Sequence, residues 1–122
     1  MALPIWGQDW KPSKIVAITE YPPLPRATRI YGTVEVKCTL DSSGAVTVAE
    51  ALSGPKLLKE PARQNALQWR FERVSKKTPG NSVILRYAFL LEGEPQDRTK
   101  TTFVFELPDK IQIVAPPQFV NP

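Results

Sequence analysis

Between Thr33 and Leu40 the sequence TVEVKCTL alternates strictly. Val34, Val36, Cys38 and Leu40 fall on one side, and Thr33, Glu35, Lys37 and Thr39 on the other. A repeat of two marks a strand with one face buried and the other in water. The stretch DSSG, residues 41–44, is a turn signal, and AVTVAEAL resumes the alternation, so the two runs predict a hairpin. The period slips after Val48, which predicts a bulge near Ala49.

After the break at Ser53–Pro55 the period changes. Leu58, Ala62, Ala66 and Trp69 recur at spacings of four, four and three, which places them on one face of a helix packed on the sheet. Pro61 lacks the N–H that a helix interior uses, so the regular helix is predicted from about Glu60, with Pro61 in its first turn. SKKTPGN, residues 75–81, reads as a loop. SVILRYAFLLEG then forms a long strand: Val83, Leu85, Tyr87, Phe89 and Leu91 on one face, Ile84, Arg86, Ala88 and Leu90 on the other. Residues 93–99 turn the chain, TTFVFELP alternates through Phe103, Phe105 and Leu107, and DKIQIVAPP adds a short last strand through Ile111 and Ile113. This order predicts an α+β fold, an antiparallel sheet of three to five strands with one main helix packed on one face.

Composition narrows the chemistry. The chain has 122 residues, one cysteine and no histidine. That excludes an intrachain disulfide, the common zinc sites and histidine-based catalysis. Cys38 lies on the apolar side of its strand and reads as a core residue rather than a reactive thiol. Glu92, Glu94 and Asp97 crowd one loop, but without a pocket signature they read as a solvated turn, and no Gly-rich phosphate loop is present. The expectation is a protein that is not an enzyme, with no cofactor, metal or small-molecule substrate. The 13 prolines cluster toward the two ends. They suggest an extended arm over residues 1–19, a domain over 20–114 whose C-terminal strand extension starts near 99, and a proline-rich tail over 115–122. The longest apolar stretch, Val83–Leu91, is nine residues broken by Arg86, too short to cross a membrane as a helix, and no signal-peptide pattern stands at the N-terminus.

The run YPPLPRATRIYGTVEVKCTLDSSGAVTVAEALSGPKLLKEPARQNALQWRFE resembles the C-terminal domain of TonB proteins. Tyr21-Pro22, Gly32, Asp41 with Gly44, Ser53-Gly54 and Trp69-Arg70-Phe71 match that family's pattern in order, and VILRYAFLLEG matches its third strand. The resemblance covers roughly residues 20 to 93. It implies that Tyr21-Pro22 anchors the entry to the domain and that PPLPRATRI forms a short N-terminal helix, reduced to a single turn or a 3₁₀ piece where Pro25 replaces the family's usual alanine. TonB proteins that transmit energy carry a membrane helix and a long proline-rich spacer. This sequence shows neither, so the expectation is a module without that coupling role.

By the same resemblance the third strand receives a partner peptide as an added strand. The receiving edge is then Val83 to Leu91, and the partner a protein or peptide, such as an outer-membrane receptor segment, in the periplasm or cell envelope. An edge strand exposes unpaired N–H and C=O groups that an extended peptide can satisfy. Because sequential strands usually pair, Thr101–Leu107 is expected to occupy that edge from within the chain; equally, the tail only caps the sheet for stability. The open edge then closes or moves outward to Lys110, Ile111, Gln112, Ile113 and Val114. Tyr21, Arg63 and Arg70 are candidate side contacts, whereas Trp69 and Phe71 read as core. Two alternatives stand beside this. One is an assembly domain whose edges pair between copies as a homodimer. The other, weaker because no nucleic-acid motif accompanies it, is a nucleic-acid or anionic-polymer binder. It would use the seven basic residues between Lys56 and Lys77, which lie against Glu60 and Glu72 and account for the net charge of +4.

Overall fold

A computed structural model describes residues 10–74, 80–93, 95, 101–106 and 110–118. The hairpin expected from the alternating run is β2 (Gly32–Leu40) with β3 (Val46–Ser53), and the long apolar strand is β5 (Ser82–Leu91). Ahead of them lie β1 (Trp10–Lys14) and the single-turn helix α1 (Pro23–Ala27), which has proline in its first turn as the resemblance implied. The main helix α2 spans Lys56–Ala66 and is followed by β4 (Arg70–Arg73). The chain ends with β6 (Thr102–Glu106) and β7 (Lys110–Ala115).

Five strands form the main sheet in the order β3-β2-β5-β7-β6, and β1 and β4 form a second, two-stranded sheet. The fold is α+β as predicted, but the main sheet is mixed: β7 runs parallel to β5, and every other pairing is antiparallel. The expected extended arm is in part the strand β1, where Arg73 stacks over the Trp10 ring at 4.5 Å. Lys11 also meets Glu72 at 2.9 Å; both groups are exposed, so that pair contributes little.

One face of the sheet packs on α2. Val34, Val36, Cys38, Leu85, Tyr87, Phe89, Ile111 and Ile113 are all fully buried there, with Leu58, Ala62 and Ala66 from the helix and Trp69 beyond its end. A fully buried leucine or phenylalanine of this kind contributes about 1.5–3 kcal/mol. Cys38 is therefore the core residue its position on the strand indicated, and burial pushes its thiol up to about 12.

Two local expectations need correction. The helix begins at Lys56 rather than Glu60, so Pro61 lies inside it and forgoes one backbone hydrogen bond. Starting early lets Leu58 bury completely on the same face as Ala62. The irregularities in β3 fall at Thr47 and Leu52, where the register against β2 skips a residue, and not at Ala49, which stays buried between them.

Asn65 is the polar centre of this core. Its Oδ1 accepts hydrogen bonds from Trp69 Nε1 at 2.9 Å and from Tyr87 Oη at 2.8 Å. Its Nδ2 donates to the Val16 carbonyl at 2.8 Å, which ties the segment after β1 to the helix. A buried amide with its oxygen and nitrogen both engaged carries little desolvation cost. At the β2–β3 turn, Gly44 has φ +87°, and a Cβ there would stand 1.7 Å from the Phe71 carbonyl oxygen. Only glycine allows β4 to approach so closely, and Phe71 N–H donates to the Gly44 carbonyl at 2.8 Å.

Candidate functional site

The strand expected to receive a partner, β5, has neighbours on both sides. Gly32–Thr39 of β2 pairs with Ser82–Phe89 on one flank, and β7 pairs with Arg86–Leu91 on the other. The second flank is thus filled from within the chain along those six residues, but by Lys110–Ala115 and not by Thr101–Leu107. Thr102–Glu106 lies one place further out, against β7. Lys110–Val114, expected as the outer edge, is consequently interior to the sheet.

Side-chain shape explains this order. Beside Tyr87 and Phe89 the slot takes Ile111 and Ile113, both fully buried, while Phe103 and Phe105 stand at the rim, half-buried. There Phe105 meets the edge of Trp69 at a ring separation of 5.5 Å. Putting two phenylalanines in the slot would crowd a row that already holds Tyr87 and Phe89.

Hydrogen bonds from Tyr21, Arg26, Arg29 and Glu92 fasten both ends of this hairpin. Tyr21 N–H donates to Thr101 Oγ1 at 2.9 Å, just before β6. At the last residue of β7, the Ala115 carbonyl accepts from Glu92 N–H, just after β5, at 2.9 Å. Arg26 Nε donates to the Pro116 carbonyl at 2.8 Å, and Arg29 Nη2 to the Gln118 carbonyl at 3.2 Å. Arg26 is only 3% exposed, so its bond lies in a dry setting where a charge-assisted contact counts most. No local pattern marks these arginines, because their partners are backbone carbonyls some 90 residues away.

The candidate side contacts do not converge. Tyr21 is fully buried, with its hydroxyl donating to the Ile30 carbonyl at 2.6 Å and its ring edge-on to Phe89 at 5.6 Å. Burial raises its phenol to about 12. It is a packing residue and offers no surface to a partner. Arg63 lies on α2 in a two-pronged pair with Glu60, at 2.7 and 3.0 Å. Hydrogen bonds from Arg63 and Gln64 hold the Glu60 carboxyl down at about 2. Arg70 lies on β4 beside the β2–β3 turn, 3.3 Å from Ser43 Oγ. Ser43 in turn donates to Asp41, which holds that carboxyl below its usual range.

The basic segment is likewise divided between α2 and β4. Arg73 is engaged by Trp10 and by the Gly80 carbonyl at 2.8 Å, and Lys76 and Lys77 lie outside the described residues. Of the acidic loop, Glu92 is exposed, and Glu94 and Asp97 lie outside the described residues.

The main sheet ends in two outer edges, β3 and β6. β3 carries the two bulges, which twist an edge away from regular pairing. β6 pairs with β7 without a break from Thr102 to Glu106, and no strand among the described residues lies on its far side. It holds no proline, lysine or bulge, the usual protections of an edge. The arrangement can therefore offer main-chain donors and acceptors to an extended segment at β6.

The family model described as Gram-negative bacterial TonB protein C-terminal matches residues 19–91, more than half of the chain. The match runs from just before Tyr21 to the last residue of β5, so β6 and β7 lie beyond it. No curated protein and no solved structure gives a match.

Proposed function

This chain belongs to the TonB C-terminal family, and on that premise we propose that it is a non-catalytic protein-interaction module of the bacterial cell envelope. It recognises an extended partner segment, such as one from an outer-membrane receptor, by strand addition. The receiving edge is β6, Thr102–Glu106, two places out from the strand that the family resemblance nominates. The observation that carries this reading is the regular, unprotected outer flank of β6.

The Arg86–Leu91 part of the nominated strand serves as a receiving edge only if β7 leaves. That step uncovers Ile111 and Ile113, both fully buried, at about 1.5–3 kcal/mol each, and breaks the Arg26 and Arg29 anchors. A partner strand gains main-chain bonds at β6 without that expense. Periplasmic location belongs to the same reading, and among the described residues no helix is long and apolar enough to cross a membrane.

The test places a photo-cross-linking residue at Val104 on β6 or, in a second protein, at Thr47 on β3. The full chain is then mixed with detergent-solubilised envelope proteins of a Gram-negative bacterium. Adducts from position 104 and none from position 47 are expected. Adducts from position 47 alone, or from neither, overturn the assignment of the edge.

A further inference from the structure

Where β5 ends, Arg29, Tyr31, Leu90, Leu91, Glu92 and Pro117 line a cavity of about 290 Å³. We propose that it binds a small zwitterion of the amino-acid type with an apolar side chain. The ligand's carboxylate meets Arg29, its ammonium meets Glu92, and its side chain lies against Tyr31, Leu90 and Pro117. The cavity borders β5, two strands in from the β6 edge. The proposal therefore goes beyond strand addition and does not depend on it.

Three observations carry it. First, Arg29 is at odds with its own backbone. α1 closes with Arg29 N–H donating to the Arg26 carbonyl at 3.3 Å and Ile30 N–H donating to the Pro25 carbonyl at 2.8 Å. That closure sets Arg29 at φ +57°, a left-handed position that glycine or asparagine ordinarily fills. No other non-glycine among the described residues has a positive φ, and strain of this kind collects where a site uses the residue. The side chain donates once, from Nη2 to the Gln118 carbonyl at 3.2 Å. Its other guanidinium N–H groups have no partner among the described residues.

Second, opposite charges share the cavity without meeting. Arg29 and Glu92 form no ion pair with each other or with another described residue. The site is thus neutral in sum but polarised, which suits a ligand that carries both charges. A bare carboxylate would meet the repulsion of Glu92, and a bare ammonium that of Arg29. Third, the remaining lining is apolar. Tyr31 is 65% exposed, Leu90 and Leu91 are half-buried, and Pro117 is buried. A mostly apolar wall with a few polar groups is how small-molecule sites are built, commonly at about 300–1,000 Å³. This cavity stands at the small end of that range, the size of an amino acid rather than of a larger cofactor.

Titration of the full chain with L-leucine, followed through its amide NMR signals, tests the site. N-acetyl-L-leucine and L-leucinamide serve as controls that each keep one charge. L-leucine should shift the amides of Tyr31, Leu90, Leu91 and Glu92 with a Kd on the order of 1 mM, and either control should bind about tenfold more weakly. Arg29→Gly suits the left-handed turn, so it should abolish the leucine shifts and leave the far-ultraviolet spectrum unchanged. Glu92→Gln should weaken leucine about tenfold and bring N-acetyl-L-leucine level with it.

No shift at those amides up to roughly 50 mM leucine, or shifts that survive Arg29→Gly, overturns the proposal. Equal binding of N-acetyl-L-leucine by the parent protein also overturns it, because the ligand would then be the carboxylate end of a peptide. Equal binding of L-leucinamide does so too, because Arg29 would then take no part. None of these readouts involves a cross-link at position 104, so this site and strand addition at β6 stand or fall separately.

Discussion

Replacing Asn65 by alanine removes the common acceptor of two buried donors. Trp69 and Tyr87 are 1% and 0% exposed, so neither the indole N–H nor the phenol O–H can turn to water once the amide is gone. Each orphaned donor costs about 1–3 kcal/mol. The Val16 carbonyl is at a half-buried residue and loses less. Together these give an expected loss of about 3–5 kcal/mol for Asn65→Ala, a large share of the stability of a domain this size. Tyr87→Phe supplies the internal check. In the parent protein it removes one hydrogen bond and costs about 1 kcal/mol, whereas in the Asn65→Ala background it removes an orphan and should be neutral or stabilising. The coupling between the two positions is then about 1–2 kcal/mol. Urea unfolding followed by tryptophan fluorescence, with m-values compared across the four proteins, measures each term. If Asn65→Ala costs less than about 1 kcal/mol, or Tyr87→Phe costs the same in both backgrounds, Asn65 is not the hub the geometry describes.

Gly44→Ala combines a left-handed backbone with a Cβ driven onto the Phe71 carbonyl. It should lose upwards of about 2 kcal/mol and weaken the β4 junction, read as faster amide exchange at Phe71; an unchanged melting temperature refutes it. Arg26→Ala removes a charge-assisted bond to the Pro116 carbonyl. It should cost about 1.5–3 kcal/mol, and a loss within 0.5 kcal/mol of zero would make the tail anchor incidental. With its thiol raised to about 12 by burial, Cys38 should resist a thiol reagent at pH 8 in the native state and react at once in urea; native reactivity counts against its placement. Glu60 has a folded-state value below its unfolded one. The stabilisation from its pairing with Arg63 is therefore complete above the ordinary 4.5 and disappears as pH falls toward about 2. A carboxyl carbon NMR titration with its midpoint near 4.5 would mean that the pair does not form in solution.

Much of the fold was legible because local patterns carry it. The strict alternation through Val34–Leu40 and Val83–Leu91 yields strands because a period of two needs no knowledge of the partner strand. Leu58, Ala62 and Ala66 mark a helix face for the same reason. The ordered series from Tyr21-Pro22 to Trp69-Arg70-Phe71 pointed to the family that the match over residues 19–91 establishes. α2 starts earlier than the pattern predicts because the cost of Pro61 is local, whereas the burial of Leu58 that offsets it is not.

The site was harder to read, since it depends on which of two alternating segments occupies one slot. β6 and β7 have the same period, and proximity along the chain favoured β6. The slot beside Tyr87 and Phe89 instead takes the slimmer isoleucines of β7, and Arg26 and Arg29 hold the chain that follows it. As a candidate side contact Tyr21 needs exposure, on which a Tyr-Pro pair is silent; contact with Phe89 and the Ile30 carbonyl buries it. Period and turn chemistry act between residues a few positions apart, so they can be read along the chain. The open edge is set by steric fit and hydrogen bonds between residues 80 and 90 positions apart, which exist only once the chain has closed on itself.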